Sequence, residues 1–259
     1  MDFLMKYIAI VSNLSYLFGY KFVPTRPDNS TFVGTLLIQI LNYNNEGDYR
    51  SRDFELNRLA FLVQHLQSIK TFNIKLFKYY ISELKKQDRN DSYLGLRFEL
   101  SIASSFIEKR INFFKQESPD FVVNDILGIE CSSIRIRKQS NKTNFDYKIS
   151  SLIRKKGLAG YENNLTALFV DFTNVLYSLM AKGVKVDTDE IRAYTKNSLG
   201  TSQFGSVLLF ALVHTKDSLE QNYIRIDNST INLSLKEFLD SQYPLGQHYV
   251  EGYGTSIES

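Results

Sequence analysis

The chain has 259 residues, of which 43% are hydrophobic and 23% charged. Those values exclude wholesale disorder and allow one large domain, or one medium domain with a helical extension. One cysteine, Cys131, excludes an internal disulfide, and with only three scattered histidines it excludes a Cys/His zinc finger; the net charge of +3 says little until its placement is known.

Residues 1–23 are apolar, but Asp2 and Lys6 make no basic leader, Ser12, Asn13 and Ser15 interrupt the run, and no small-residue cleavage site follows. The segment reads as a buried first element of a cytoplasmic protein, not as a signal or a bilayer span. Pro24, Pro27, Asp28 and Asn29 punctuate a loop. Residues 32–41 fit helix or strand, and the polar stretch 42–53, with Gly47, reads as a loop. Leu56, Leu59, Ala60, Val63 and Leu66 recur at helical steps. Residues 72–84 continue in helical style with Lys75, Lys78, Lys85 and Lys86 outward. The break at 88–91 sets a division into a helical region, 1–90, and an α/β domain, 91–259.

In the second part, 94–109 reads as a helix and 111–114 as a short strand. Residues 121–123 and 127–136 read as a hairpin turning at Asn124 and Asp125. A helix at 147–156 ends at Gly157 and Gly160, and 166–172 and 207–214 have the content of buried strands. The alternation predicts a mixed α/β domain.

The stretch 96–137 carries the chemistry. Glu99 lies on the helix, and Ser118-Pro119-Asp120 opens the first hairpin strand. Glu130 interrupts the apolar second strand, ten positions after Asp120. On two hairpin strands that spacing brings both carboxylates to one end of the sheet. Converging carboxylates repel, and the usual resolutions are a shared proton or a divalent metal. Oxygen-only ligands favour Mg²⁺, which can activate water and neutralise charge on a phosphodiester. Arg135, Arg137, Lys138, Lys142, Lys148, Arg154, Lys155 and Lys156 face Asp146 alone within 133–160, a net +7 that leaves −4 for the remainder. Basic charge so focused fits a phosphate-bearing partner. Taken singly, each feature has a plainer reading: Pro-Asp as a turn dipeptide, Glu99 and the basic run as solvated faces, Asp171 as a strand-end turn former, Cys131 as a small buried hydrophobe. A nucleophile elbow and phosphate-binding glycine motifs are missing.

Glu99, Pro119-Asp120 and Glu130, in this order, resemble the PD-(D/E)xK nuclease superfamily, the restriction-endonuclease-like fold, over roughly residues 94–174. The resemblance implies a core of helix, three strands, helix and strand. It implies Mg²⁺ or Mn²⁺ at Asp120 and Glu130, with Glu99 assisting, and phosphodiester hydrolysis in DNA. Ser132 stands where the family has its lysine. In this superfamily that lysine can migrate to the following helix, so Lys155 or Lys156 would serve, with Lys138 a further candidate. Lys156 is favoured because it follows Ile153 by three residues and returns to the side of the buried stripe. Arg135, Arg137, Lys138, Lys142, Arg154 and Lys155 would contact nucleic-acid phosphates. The helical region would add substrate contacts or a homodimer surface. Ser132 also supports an alternative: a catalytically inactive member of the fold that binds nucleic acid or a protein partner.

Overall fold

The computed structural model describes residues 3–23, 31–87, 90–134, 145–158, 163–184, 186–214 and 219–245. The chain divides into two compact units, Met1–Ile111 and Asn112–Ser259.

The first unit is helical: α1 (Phe3–Phe18), α2 (Phe32–Glu46), α3 (Tyr49–Phe72), α4 (Ile74–Lys86) and α5 (Asn90–Glu108). The other four helices all pack on α3, burying Leu59, Leu62, Leu66 and Ile69. The first apolar segment buries only one side. Tyr7, Ile10, Leu14, Leu17 and Phe18 face inward, while Leu4, Met5, Ile8 and Tyr16 are exposed. The stretch 42–53 is not a loop. Its asparagines ride α2 to Glu46, because polar side chains alone do not stop a helix. The stop is Gly47 in the left-handed region (φ 77°), and Asp48 then caps α3 through the Ser51 N–H. Helix α5, whose residues the sequence division puts with the α/β domain, packs with α3 and α4 in the first unit.

The second unit is α/β. Its elements are β1 (Phe113–Lys115), β2 (Phe121–Val123), β3 (Leu127–Ser133), α6 (Phe145–Gly157), β4 (Thr166–Asp171), α7 (Thr173–Ala181), α8 (Thr188–Leu199), β5 (Ser206–His214), β6 (Leu219–Asp227) and α9 (Leu233–Gln242). Among the described residues the strands build a six-stranded mixed sheet in the order β1-β2-β3-β4-β5-β6. β1, β2 and β3 form an antiparallel meander; β3, β4 and β5 run parallel; β6 returns antiparallel. The central strand β4 is buried at every position, as expected of a parallel strand covered on both faces. On one face Leu168, Val170, Leu209 and Ile224 meet Ile149 and Ile153 of α6 and the apolar residues of α7 and α8. On the other, Phe169, Phe210 and Tyr223 surround Tyr243, just past the end of α9, in edge-on contacts.

Candidate active site

The β2–β3 hairpin is set by its turn. Asn124 and Asp125 both take positive φ (49° and 66°), which those two side chains tolerate better than most, and the tight turn fixes the register. Phe121 pairs with Ile129, so Asp120, one residue before β2, falls opposite Glu130. Gly128 permits the approach. A side chain there would stand 2.7 Å from Thr166 Oγ1 and 3.0 Å from Pro119 Cγ, so its absence lets Pro119 lie close and hold Asp120 over β3.

The two carboxylates are locked together. The Asp120 N–H donates to Glu130 Oε2 (3.3 Å), and the Cys131 N–H donates to Asp120 Oδ2 (2.7 Å). Glu130 is buried, with 4% of its surface exposed. It pairs in register with Leu168 and so lies on the sheet face that α6 covers. An isolated carboxylate there would cost several kcal/mol. Its charge is met by Lys156, whose Nζ lies 2.5 Å from Glu130 Oε1. Lys156 comes down the same side of α6 as Ile149 and Ile153, both in the core.

A second ammonium is present that the sequence reading did not single out. Lys115, at the end of β1, donates to Asp120 Oδ1 (3.3 Å) and to the Gln116 carbonyl (2.6 Å). Both members of the Lys115–Asp120 pair are largely buried. All four carboxylate oxygens therefore accept a hydrogen bond, and the Lys115 and Lys156 ammoniums are among their donors.

The other expected residues lie as follows. Ser132 is two residues beyond Glu130 on β3 and half-buried. Lys148, Arg154 and Lys155 are exposed on α6. Glu99 lies on α5, in the first unit. Arg135, Arg137, Lys138 and Lys142 lie outside the described residues. Asp171 accepts the Thr173 N–H through Oδ1 at the start of α7, the strand-end turn role.

Among the described residues no group of three or more His, Cys, Asp and Glu gathers in a way that could hold a metal ion. The Asp120–Glu130 pair still fits Mg²⁺ by donor chemistry, since that ion commonly takes one or two carboxylates and fills its octahedron with water and phosphate oxygens. Among the described residues, no helix is long and apolar enough to cross a membrane. Compared with known proteins, the chain matches no family model, no curated protein and no solved structure.

Proposed function

We propose that the chain is a metal-dependent nuclease of the restriction-endonuclease-like fold, acting on DNA in the cytoplasm. The observation that carries this reading is the convergence of Asp120, Glu130 and Lys156 from the start of β2, from β3 and from α6. Glu130 and Lys156 are 26 residues apart, and Glu130 stands in an otherwise apolar sheet–helix layer, where a carboxylate is costly without a partner such as this ammonium. The element order α5, β1, β2, β3, α6, β4 supports it further, because it is the helix, three strands, helix and strand that the resemblance implies.

Asp120 and Glu130 would hold Mg²⁺ or Mn²⁺. The ion would supply Lewis-acid charge neutralisation at the phosphodiester and an acidified water. Lys156 does the work of the lysine missing at position 132. Its ammonium can donate to a phosphate oxygen or orient the attacking water beside Glu130. Lys115 holds the Asp120 carboxylate in place. Arg154 and Lys155, exposed on the same helix, would contact nucleic-acid phosphates, as would Arg135, Arg137, Lys138 and Lys142 of the basic segment.

One observation favours a second reading. The four carboxylate oxygens are already satisfied within the chain, as in a site that needs no ion. An inactive nuclease-fold protein that binds nucleic acid or a protein partner would look like this. Nicking of a supercoiled plasmid in Mg²⁺ or Mn²⁺ decides between the two. The nuclease reading expects nicking by the wild type and none by Asp120→Asn. A wild type silent on DNA and RNA with both ions leaves the inactive reading standing.

A further inference from the structure

Basic charge is concentrated a second time, in the helical unit. Helix α4 carries Lys75, Lys78, Lys85 and Lys86 against Glu83, a net +3 in 13 residues. At 100° per residue, Ile74, Lys75, Lys78, Tyr79, Ser82, Lys85 and Lys86 fall within one arc of about 140°. All seven are exposed. The opposite side, Phe77, Tyr80, Ile81 and Leu84, is buried. Glu83 holds Lys86 at 2.6 Å, but among the described residues no carboxylate pairs with Lys75, Lys78 or Lys85. Lys85 instead lies 5.4 Å from the Tyr20 ring. Asn73 caps the helix through the Lys75 and Leu76 N–H groups, so the face is presented on an ordered frame.

We infer that the α4 face is a sequence-independent binding surface for the phosphate backbone of duplex DNA. From Lys75 to Lys86 the helix rises about 16 Å, a length over which each strand of a duplex presents a phosphate every ~3.4 Å of axis. Three ammoniums that no described carboxylate pairs match that polyanion, and Tyr79, 42% exposed among them, can pack on sugar. An anionic membrane is the poorer occupant. A helix lying in a bilayer surface inserts its apolar side, and in α4 that side is taken up by packing on α3 and α5. The inference deepens the nuclease reading, giving its substrate a contact remote from the Asp120–Glu130 pair in sequence.

The test is fluorescence anisotropy of the full chain with a labelled duplex in EDTA, between about 50 and 200 mM salt. The wild type should bind with a steep salt dependence. Lys75→Gln/Lys78→Gln/Lys85→Gln should bind at least tenfold more weakly at low salt, with the log–log slope reduced by roughly 2–3. Lys196→Gln/Lys236→Gln, a control on other lysines, should change neither. Gln keeps helix propensity, and thermal melts verify the fold. Unchanged slope and affinity in the triple variant would overturn the inference, as would binding to phosphatidylserine vesicles without binding to DNA. Plasmid nicking keeps the two proposals apart. Nicking with no α4 effect retains the nuclease and removes this surface. DNA binding lost in the triple variant, with no nicking by the wild type, retains this surface and removes the nuclease.

Discussion

The Lys156 ammonium lies 2.5 Å from Glu130 Oε1, joining the end of α6 to the middle of a buried strand. Neighbouring Lys155 points into solvent. On the nuclease reading, Lys156→Ala should abolish most cleavage, and Lys155→Ala should only weaken DNA binding. Stability separates them too. Removing Lys156 takes an ammonium from buried Glu130, which costs about 1–3 kcal/mol because Lys156 is itself partly exposed, whereas Lys155→Ala should stay within about 0.5 kcal/mol. Urea midpoints alongside nicking rates measure both; equal, small effects of the two substitutions would remove Lys156 from the mechanism.

On the nuclease reading, Asp120→Asn removes a carboxylate charge from the proposed metal pair, and cleavage should be lost. The fold should survive with a cost of about 1–2 kcal/mol, because an amide cannot accept at both positions. Asp120 accepts from the Cys131 N–H on one oxygen and from Lys115 on the other, so an Asn NH₂ must face one of these donors. In a Lys115→Met background the second donor is gone, and Asp120→Asn should cost less. A double-mutant cycle by urea unfolding reads this coupling directly, and additivity would show that Lys115 does not hold Asp120.

Much of the geometry of this candidate site is legible in the sequence, for physical reasons that differ residue by residue. Asp120 and Glu130 meet because the tight turn at Asn124 and Asp125 sets a register that places residues ten apart opposite each other. Lys156 is readable because helical period carries Ile149, Ile153 and Lys156 down one side. Lys115 is not. It closes a strand of three residues, too short for any periodicity, and its reach to Asp120 depends on the chain folding back through Pro119. The stretch 42–53 misleads for another reason, since composition marks polarity and only Gly47 marks the stop. Beyond residue 172, apolar content marks β5, the caps Asp187 and Asn232 mark the starts of α8 and α9, and α7, which has no side-chain cap, is set by burial against the sheet.

Gly128→Ala tests how closely the Pro119 segment must approach β3. The new methyl would meet Thr166 Oγ1 at 2.7 Å and Pro119 Cγ at 3.0 Å. Thr166 pairs in register with Gly128 across the parallel strands and is itself buried, so it has little room to move. Overpacking of this kind costs about 1–3 kcal/mol. The displaced Pro119 carries Asp120 with it, so nicking should fall even at temperatures where the variant is fully folded. A variant with wild-type stability and wild-type nicking would show that the contact is loose.

The helical unit has a pH dependence of its own. His65 stacks on Phe61 at 5.9 Å between ring centroids, and burial first, then the Arg97 guanidinium, push its pKa from 6.5 down to about 4. In the unfolded chain the ring takes a proton near 6.5; in the folded chain it stays neutral until about 4. As pH falls through this interval the unfolded state binds a proton that the folded state refuses, so stability falls with acidification and is fully present only above about 6.5. Between pH 7.5 and 5 the loss should be about 2 kcal/mol, each pKa unit being worth about 1.36 kcal/mol. His65→Leu cannot titrate. Its urea midpoint should vary less with pH over the same range, whatever its stability at neutral pH. Histidines elsewhere in the chain contribute equally to both proteins and cancel in the difference, so parallel pH dependences would show that the folded chain admits a proton at His65 after all.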